Sequence, residues 1–278
     1  MKRKGLAILV ILVLTLGLAG CGNNGSENIQ ETDEIVVKVG LVGEMTEMWV
    51  PVQENLESEN IRIELVKFAD YTLPNQALAD GEIDLNAFQH VAFLNNEIEL
   101  KGFDLVPIGN TLLSALNVYS SNVDSIDDIK VGDKIAIPND LTNGGRALKV
   151  LETAGLISVD PAAGYTPELK DIKDNPLEIE FIEVEASNLP ALLPDVAAAV
   201  INGNHAHDYG LIPAEDAIFA ESIDSLEEDN PYINIIVARA EDKDKETYLK
   251  VVEAYNKENV GKVIIETFGG LYIPAWFE

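Results

Sequence analysis

The chain has 278 residues, 47% of them apolar, enough to build one large or two medium α/β domains around real cores and too much for a disordered chain. Its 19 basic and 48 acidic side chains leave a formal charge of -29. A polyanion of this size is repelled by nucleic-acid phosphates and anionic lipid headgroups, so nucleic acid is excluded as an expected partner.

The N-terminus has the build of a secretory signal. Lys2, Arg3 and Lys4 form a positive segment, followed by an apolar or small-residue run of 16 from Gly5 to Gly20. The run closes on Leu18-Ala19-Gly20-Cys21, which resembles the lipobox of bacterial lipoproteins and implies cleavage before a lipid-modified Cys21. Cys21 is the sole cysteine, so the chain can form no internal disulfide. Residues 21–34 are polar and have almost nothing to bury, which reads as a flexible tether. Beyond residues 1–20 no run approaches the ~20 apolar residues of a membrane span. The expectation is a soluble body held at the extracytoplasmic face of a cell membrane by its lipid anchor.

From Ile35 onward, short β-branched runs alternate with helical stretches. Strands are expected at 35–42, 61–68, 83–88, 134–138, 177–184, 197–202 and 232–239. Helices are expected over 49–60, 90–102 and 144–156, with a proline-broken one at 186–195 and one or two over 245–270. Strands separated by helices predict parallel α/β layers, whose ligands sit at the carboxyl ends of the strands.

Four stretches carry candidate chemistry. "DYTLPNQALADGEIDLNAFQH" (70–90) gathers Tyr71, Phe88 and His90, as pocket walls or as ordinary core. "IAIPNDLTNGGRALKV" reads as strand, turn and helix: Thr142 and Asn143 are candidate N-caps, Gly144 and Gly145 permit close backbone approach, and Arg146 is expected in the first helical turn. A helix N-terminus with a bidentate guanidinium could hold a carboxylate, while an ion pair with a surface acid is the plainer alternative. Asn202 and Asn204 follow a buried strand, where an amide can accept from an ammonium or serve a turn or cap. His205 and His207 fall two apart, on one face if extended, with Asp208 next; a metal is the alternative they raise. The phosphate-loop spacing G-x-x-x-x-G-K-[ST] is absent, and no nucleophile–base pair has recognisable spacing, so no enzyme is expected.

Taken in order, "FADYTLPNQALADGEIDLNAFQH", "AIPNDLTNGGRAL", "AVINGNHAHDYGL" and "NPYINIIVAR", behind a lipobox, resemble the methionine-binding lipoproteins of the NlpA/MetQ family, which serve ABC importers. The resemblance spans about Ile35 to Trp276. It implies a two-lobed periplasmic-binding-protein-like α/β fold of type 2, with two interlobe crossings and ligand enclosed between the lobes. Lobe one would comprise 35–117 plus 232–278, and lobe two 118–231. It implies that Tyr71 and Phe88 sandwich the ligand side chain with His90 and Phe93 beside them, that Arg146 holds the α-carboxylate, and that Asn204 and Asn234 contact the amino and carboxylate groups. The implied partners are methionine, L- or D-, and an ABC permease with its ATPase subunit; no cofactor or metal is implied. A methionyl dipeptide, another apolar amino acid, or a metal held by His90, His205 and His207 are the alternatives. The chain departs from the family pattern at "VGEMTEMWVPVQENL", at Leu141, at Phe93 and at His205.

Overall fold

The computed structural model describes residues 34–223, 227, 229–268 and 270–276. The expected signal segment, Cys21 and all of the tether but Glu34 lie outside the described residues.

Strands β1 (Ile35–Val42), β2 (Ile61–Phe68), β3 (Leu85–His90) and β4 (Leu105–Ser114) alternate with helices α1 (Trp49–Leu56), α2 (Pro74–Ala79) and α3 (Val91–Lys101). After Ala115 come β5 (Leu116–Tyr119), β6 (Lys134–Pro138), α4 (Leu141–Thr153), β7 (Ser158–Val159), β8 (Ile172–Asp174), β9 (Glu180–Val184), α5 (Leu189–Leu192), β10 (Ala198–Asn202), α6 (Gly203–Tyr209), α7 (Pro213–Asp216) and β11 (Ala217–Phe219). The chain then returns through β12 (Ile233–Arg239), α8 (Glu246–Tyr255), α9 (Glu258–Thr267) and β13 (Tyr272–Pro274).

Two sheets result. The first has the order β13-β4-β12-β3-β1-β2 and the second β11-β5-β10-β6-β9, while β7 and β8 form a small hairpin pair. The chain therefore passes between the sheets twice, at Ala115 and again between β11 and β12. Each sheet has its own apolar core: Val39, Leu85 and Ile236 anchor one, Ile135, Leu151 and Val200 the other. Each such side chain, fully buried, contributes about 1.5–3 kcal/mol.

Both sheets are mixed, not purely parallel as expected. β1 pairs parallel with β2 and β3, but β12 runs antiparallel to β3 and β4, and β10 antiparallel to β5. The strands that follow a crossing enter without a connecting helix, so nothing forces them parallel.

Element ends follow their chemistry. His90 caps α3 by accepting from the Phe93 N–H at 3.1 Å, and Gly102 closes that helix at φ 70°. Asp140, rather than Thr142 or Asn143, caps α4, which places Arg146 in the second turn of the helix. Gly144 and Gly145 serve packing rather than ligand approach. A Cβ on Gly144 would lie 2.7 Å from the Pro138 carbonyl, and one on Gly145 2.7 Å from the Thr166 backbone.

Candidate ligand site

A pocket lies at the carboxyl ends of strands from both sheets. Val42, His90 and Ser114, the last residues of β1, β3 and β4, line it together with Asn202, the last residue of β10. Its cavity volume is about 90 Å³. Tyr71, Phe88, His90, Phe93, Arg146, Asn204 and Asn234 all line it, so the structure brings the seven sequence-predicted residues together.

The aromatic end comes from the first sheet. Tyr71 stacks on Phe88 with centroids 6.0 Å apart, and each meets Phe93 edge-on at 5.9 Å. Threading a chain between two rings takes roughly 7–8 Å, twice the ~3.5–4.0 Å of a carbon contact. Tyr71 and Phe88 therefore form one continuous wall here, and a ligand side chain would lie along the cluster rather than between the rings. Behind it, Asn75 donates to Gln89 and accepts from Asn86, tying α2 to β3 through buried amides. Burial, then the Asp140 charge, pushes the Tyr71 phenol well above its usual range; it donates to Asn204 Oδ1 at 2.5 Å.

His90 has a fixed tautomer. Its Nδ1 accepts from Phe93 N–H, so the proton sits on Nε2, which faces Asn143 Oδ1 at 3.4 Å. Burial, then the Arg146 charge, lowers its pKa to about 3. The ring is a neutral donor at physiological pH.

The polar end is a directed chain of amides in the second sheet. The Asp140 carboxylate can only accept, so it takes the Asn143 backbone N–H at 2.9 Å and turns Asn143 Nδ2 toward itself at 3.0 and 3.1 Å. Asn143 Oδ1 must then face the other way, where Asn202 Nδ2 donates to it at 2.7 Å. Asn202 is left with its Oδ1 buried and without a hydrogen-bond partner. An orphan acceptor on a pocket wall costs roughly 1–3 kcal/mol until a donor reaches it. Asn202 is a site residue that the sequence signalled only by standing at the end of an apolar run.

Arg146 is 3% exposed and its fork is already occupied. Nε donates to Glu221 Oε1 at 3.0 Å and Nη2 to Glu221 Oε2 at 2.6 Å, while Nη2 also reaches the Ser114 carbonyl at 2.7 Å. The Tyr232 ring covers the guanidinium at 4.4 Å from its centroid. The two N–H groups of Nη1 make no hydrogen bond to the described residues, so they are the donors left for a ligand. Neither Glu221 nor Tyr232 stood out in the sequence, because only the fold carries them to Arg146.

Several contacts join the two halves across the pocket. Asn204 links Tyr71 to the Val42 carbonyl, which its Nδ2 approaches at 3.5 Å, and the Glu44 backbone N–H donates to the Asp208 carboxylate at 3.1 Å. His205 and His207 lie in α6, not in extended chain, and their rings diverge: His205 packs on Tyr71 and His207 on Phe268. Among the described residues no three His, Cys, Asp or Glu side chains converge as a metal site.

Two α/β lobes, crossed twice by the chain and closing on one pocket at their strand ends, make this a two-lobed binding protein of the periplasmic type. A sequence profile of the NlpA lipoproteins matches residues 37–276, and the chain belongs to that family. It is 38% identical over 279 residues to the D-methionine-binding lipoprotein MetQ of Salmonella typhimurium, covering 99% of each chain. Among solved structures it resembles a nutrient-binding protein from Burkholderia cenocepacia bound to methionine, with 38% identity, a TM-score of 0.81, and coverage of 86% of this chain and 100% of that one. It also resembles the substrate-binding protein of a methionine transporter from Streptococcus pneumoniae, with 35% identity, a TM-score of 0.80, and coverage of 87% and 96%.

Proposed function

We propose that the protein is a lipid-anchored, extracytoplasmic solute-binding protein that captures methionine between its lobes and delivers it to an ABC importer, with lobe one formed by 35–117 plus 232–278 and lobe two by 118–231. The single observation that carries the reading is the pocket's polarity: an apolar aromatic wall at one end, and at the other an unused guanidinium edge beside an unused amide acceptor. That pattern fits an α-amino acid with an apolar tail. A thioether against aromatic rings gains roughly 0.3–1.5 kcal/mol. A zwitterion leaving water needs both charges met, or desolvation dominates.

In this reading Arg146 Nη1 holds the carboxylate and Asn202 Oδ1 accepts from the ammonium. Tyr71, Phe88 and Phe93 form the wall along which the side chain lies, beside His90, and Asn234, paired with His90 across β12 and β3, completes the rim. Asn204, engaged with Tyr71 and Val42, helps to hold the cleft shut. Ligand that touches both lobes favours the closed form, which is the state a permease and its ATPase subunit can sense. No step of this function is catalytic. Anchoring rests on Cys21: Cys21→Ser should leave affinity intact and abolish fatty-acid labelling.

The test is to unfold the purified protein and identify any released small molecule by mass spectrometry, then to measure melting shifts with methionine, norleucine, leucine and methionyl dipeptides. Methionine producing the largest shift at equal concentration supports the reading, since a ligand specific to the native state stabilises it by RT ln(1 + [L]/Kd). A dipeptide or leucine outranking methionine would replace it.

A further inference from the structure

Glu221 does not line the pocket, yet it makes two hydrogen bonds to Arg146 and accepts a third at Oε2 from the Leu116 backbone N–H at 2.7 Å. Its own N–H donates to Asn117 Oδ1 at 3.0 Å. It belongs to the second crossing, whereas Ser114 and Leu116 flank the first. One guanidinium thus fastens both crossings to α4.

We infer that Glu221 is a positioning residue that sets the charge class of the ligand: by pairing with Arg146 it offsets that guanidinium's charge before ligand enters, so that the site selects a net-neutral zwitterion over an anion. The inference rests on the methionine-binding reading above and deepens it. The physical argument runs through burial. The Arg146 side chain is 3% exposed and that of Glu221 20%. An ionised group in such a place costs several kcal/mol unless it is compensated. With the pair intact, a zwitterion adds no net charge to the site, whereas an anion adds a negative charge to a guanidinium already offset by Glu221. Asp140, which caps α4, is held by the cap and by Thr142 and Asn143 rather than by Arg146, so its charge is common to wild type and the Glu221 variants. Glu221 also fixes orientation: by taking Nε and one N–H of Nη2, and with Ser114 taking the other, it leaves only Nη1 for the ligand.

Two ligands with one skeleton separate the effects: methionine and 4-(methylthio)butanoate, which lacks the amino group and is an anion. Both are titrated calorimetrically into wild type, Glu221→Gln and Glu221→Asp. In wild type methionine binds more tightly. In Glu221→Gln the site gains a net positive charge, and the preference for methionine over the butanoate should fall by at least about tenfold. In Glu221→Asp, which keeps the charge, the preference should stay within about threefold of wild type even where overall affinity drops. Should Glu221→Gln fail to fold, as judged by circular dichroism, Glu221→Leu takes its place and carries the same expectation. An unchanged preference in the neutral variants, with both ligands weakened by one factor, would show that Glu221 only braces the crossings and would overturn the inference. A wild-type protein that binds neither ligand overturns instead the methionine reading, and that result is visible before any variant is made.

Discussion

The two ends of the pocket are built by opposite means. The aromatic end is assembled within 23 residues of sequence, from Tyr71 to Phe93, and its rings touch one another as well as the cavity. The polar end is assembled from Asp140, Asn143, Arg146, Asn202 and Glu221, with separations of 59 and 75 residues across its key bonds. Dispersion and area are divisible, so the first end should respond to change by degrees. Charges and orphan amides are not divisible, so the second should respond steeply.

The steepest response is expected at Arg146. Arg146→Ala should weaken methionine binding by about 2–5 kcal/mol, because it leaves the ligand carboxylate unpaired. It also strands Glu221, so a fall in melting temperature without ligand should accompany the loss. Arg146→Lys should bind poorly too, as an ammonium cannot serve Glu221, Ser114 and a ligand from one planar fork. Calorimetry and thermal melts on both variants measure this.

Next comes the amide chain. Asn202→Leu removes the acceptor and should cost about 1–3 kcal/mol of affinity. Asp140→Asn is the sharper probe, because it keeps an N-cap but supplies a donor that allows Asn143, and hence Asn202, to flip. A loss of about 0.5–1.5 kcal/mol in binding, with stability nearly unchanged, is expected. Equal affinity in Asp140→Asn would show that the chain does not orient Asn202.

These two ends also differ in how far the sequence revealed them. Tyr71, Phe88 and His90 stood out as wall or core because ring side chains on a loop and the strand that soon follows it stay near one another, while Phe93 came only with the family resemblance. Strands 35–42, 61–68 and 134–138 were legible to the residue, since β-branched runs bounded by turns have few alternatives. β4, β5, β11 and β13 were not, because each takes its conformation from antiparallel partners supplied by distant chain. The Glu221 pairing was illegible for the same reason, whereas Asn202 stood out at the end of its apolar strand as a candidate acceptor. Arg146 was visible as a residue, and of its two competing readings the ion pair is present, with Glu221, while the Nη1 edge is what the proposed carboxylate contact would use.

A smaller and graded effect is expected at the rings. Norleucine keeps the shape of methionine without the sulfur and should bind more weakly by roughly 0.3–1.5 kcal/mol. Methionine sulfoxide brings an acceptor to an apolar wall and should lose about 1–3 kcal/mol unless the His90 Nε2–H turns to meet it. Phe88→Ala should weaken all three and compress the order. Competition titrations distinguish this from a pocket that reads length alone, which would rank methionine and norleucine together.

A separate effect falls on stability against pH rather than on affinity. Burial depresses His90 to about 3 and His205 to about 4, from an ordinary value near 6.5. A depressed folded-state pKa means that the unfolded chain binds more protons at mildly acidic pH, so stability is fully present above about 6.5 and is lost as pH falls toward those values. His205→Phe removes one of these groups and a buried Nε2 that has no partner, and should flatten the fall in melting temperature between pH 7 and 4. A slope equal to wild type would mean that other groups govern it.

The central claim is that one pocket meets an apolar tail with rings and a zwitterion with a preset polar end. It is tested most directly by titrating methionine into protein that has been unfolded, stripped of ligand and refolded, in wild type and in Arg146→Ala. The account predicts saturable one-site binding in wild type, with affinity lower by about 2–5 kcal/mol in the variant. Equal affinity in the two proteins, or no binding in a wild type that refolds, would contradict it.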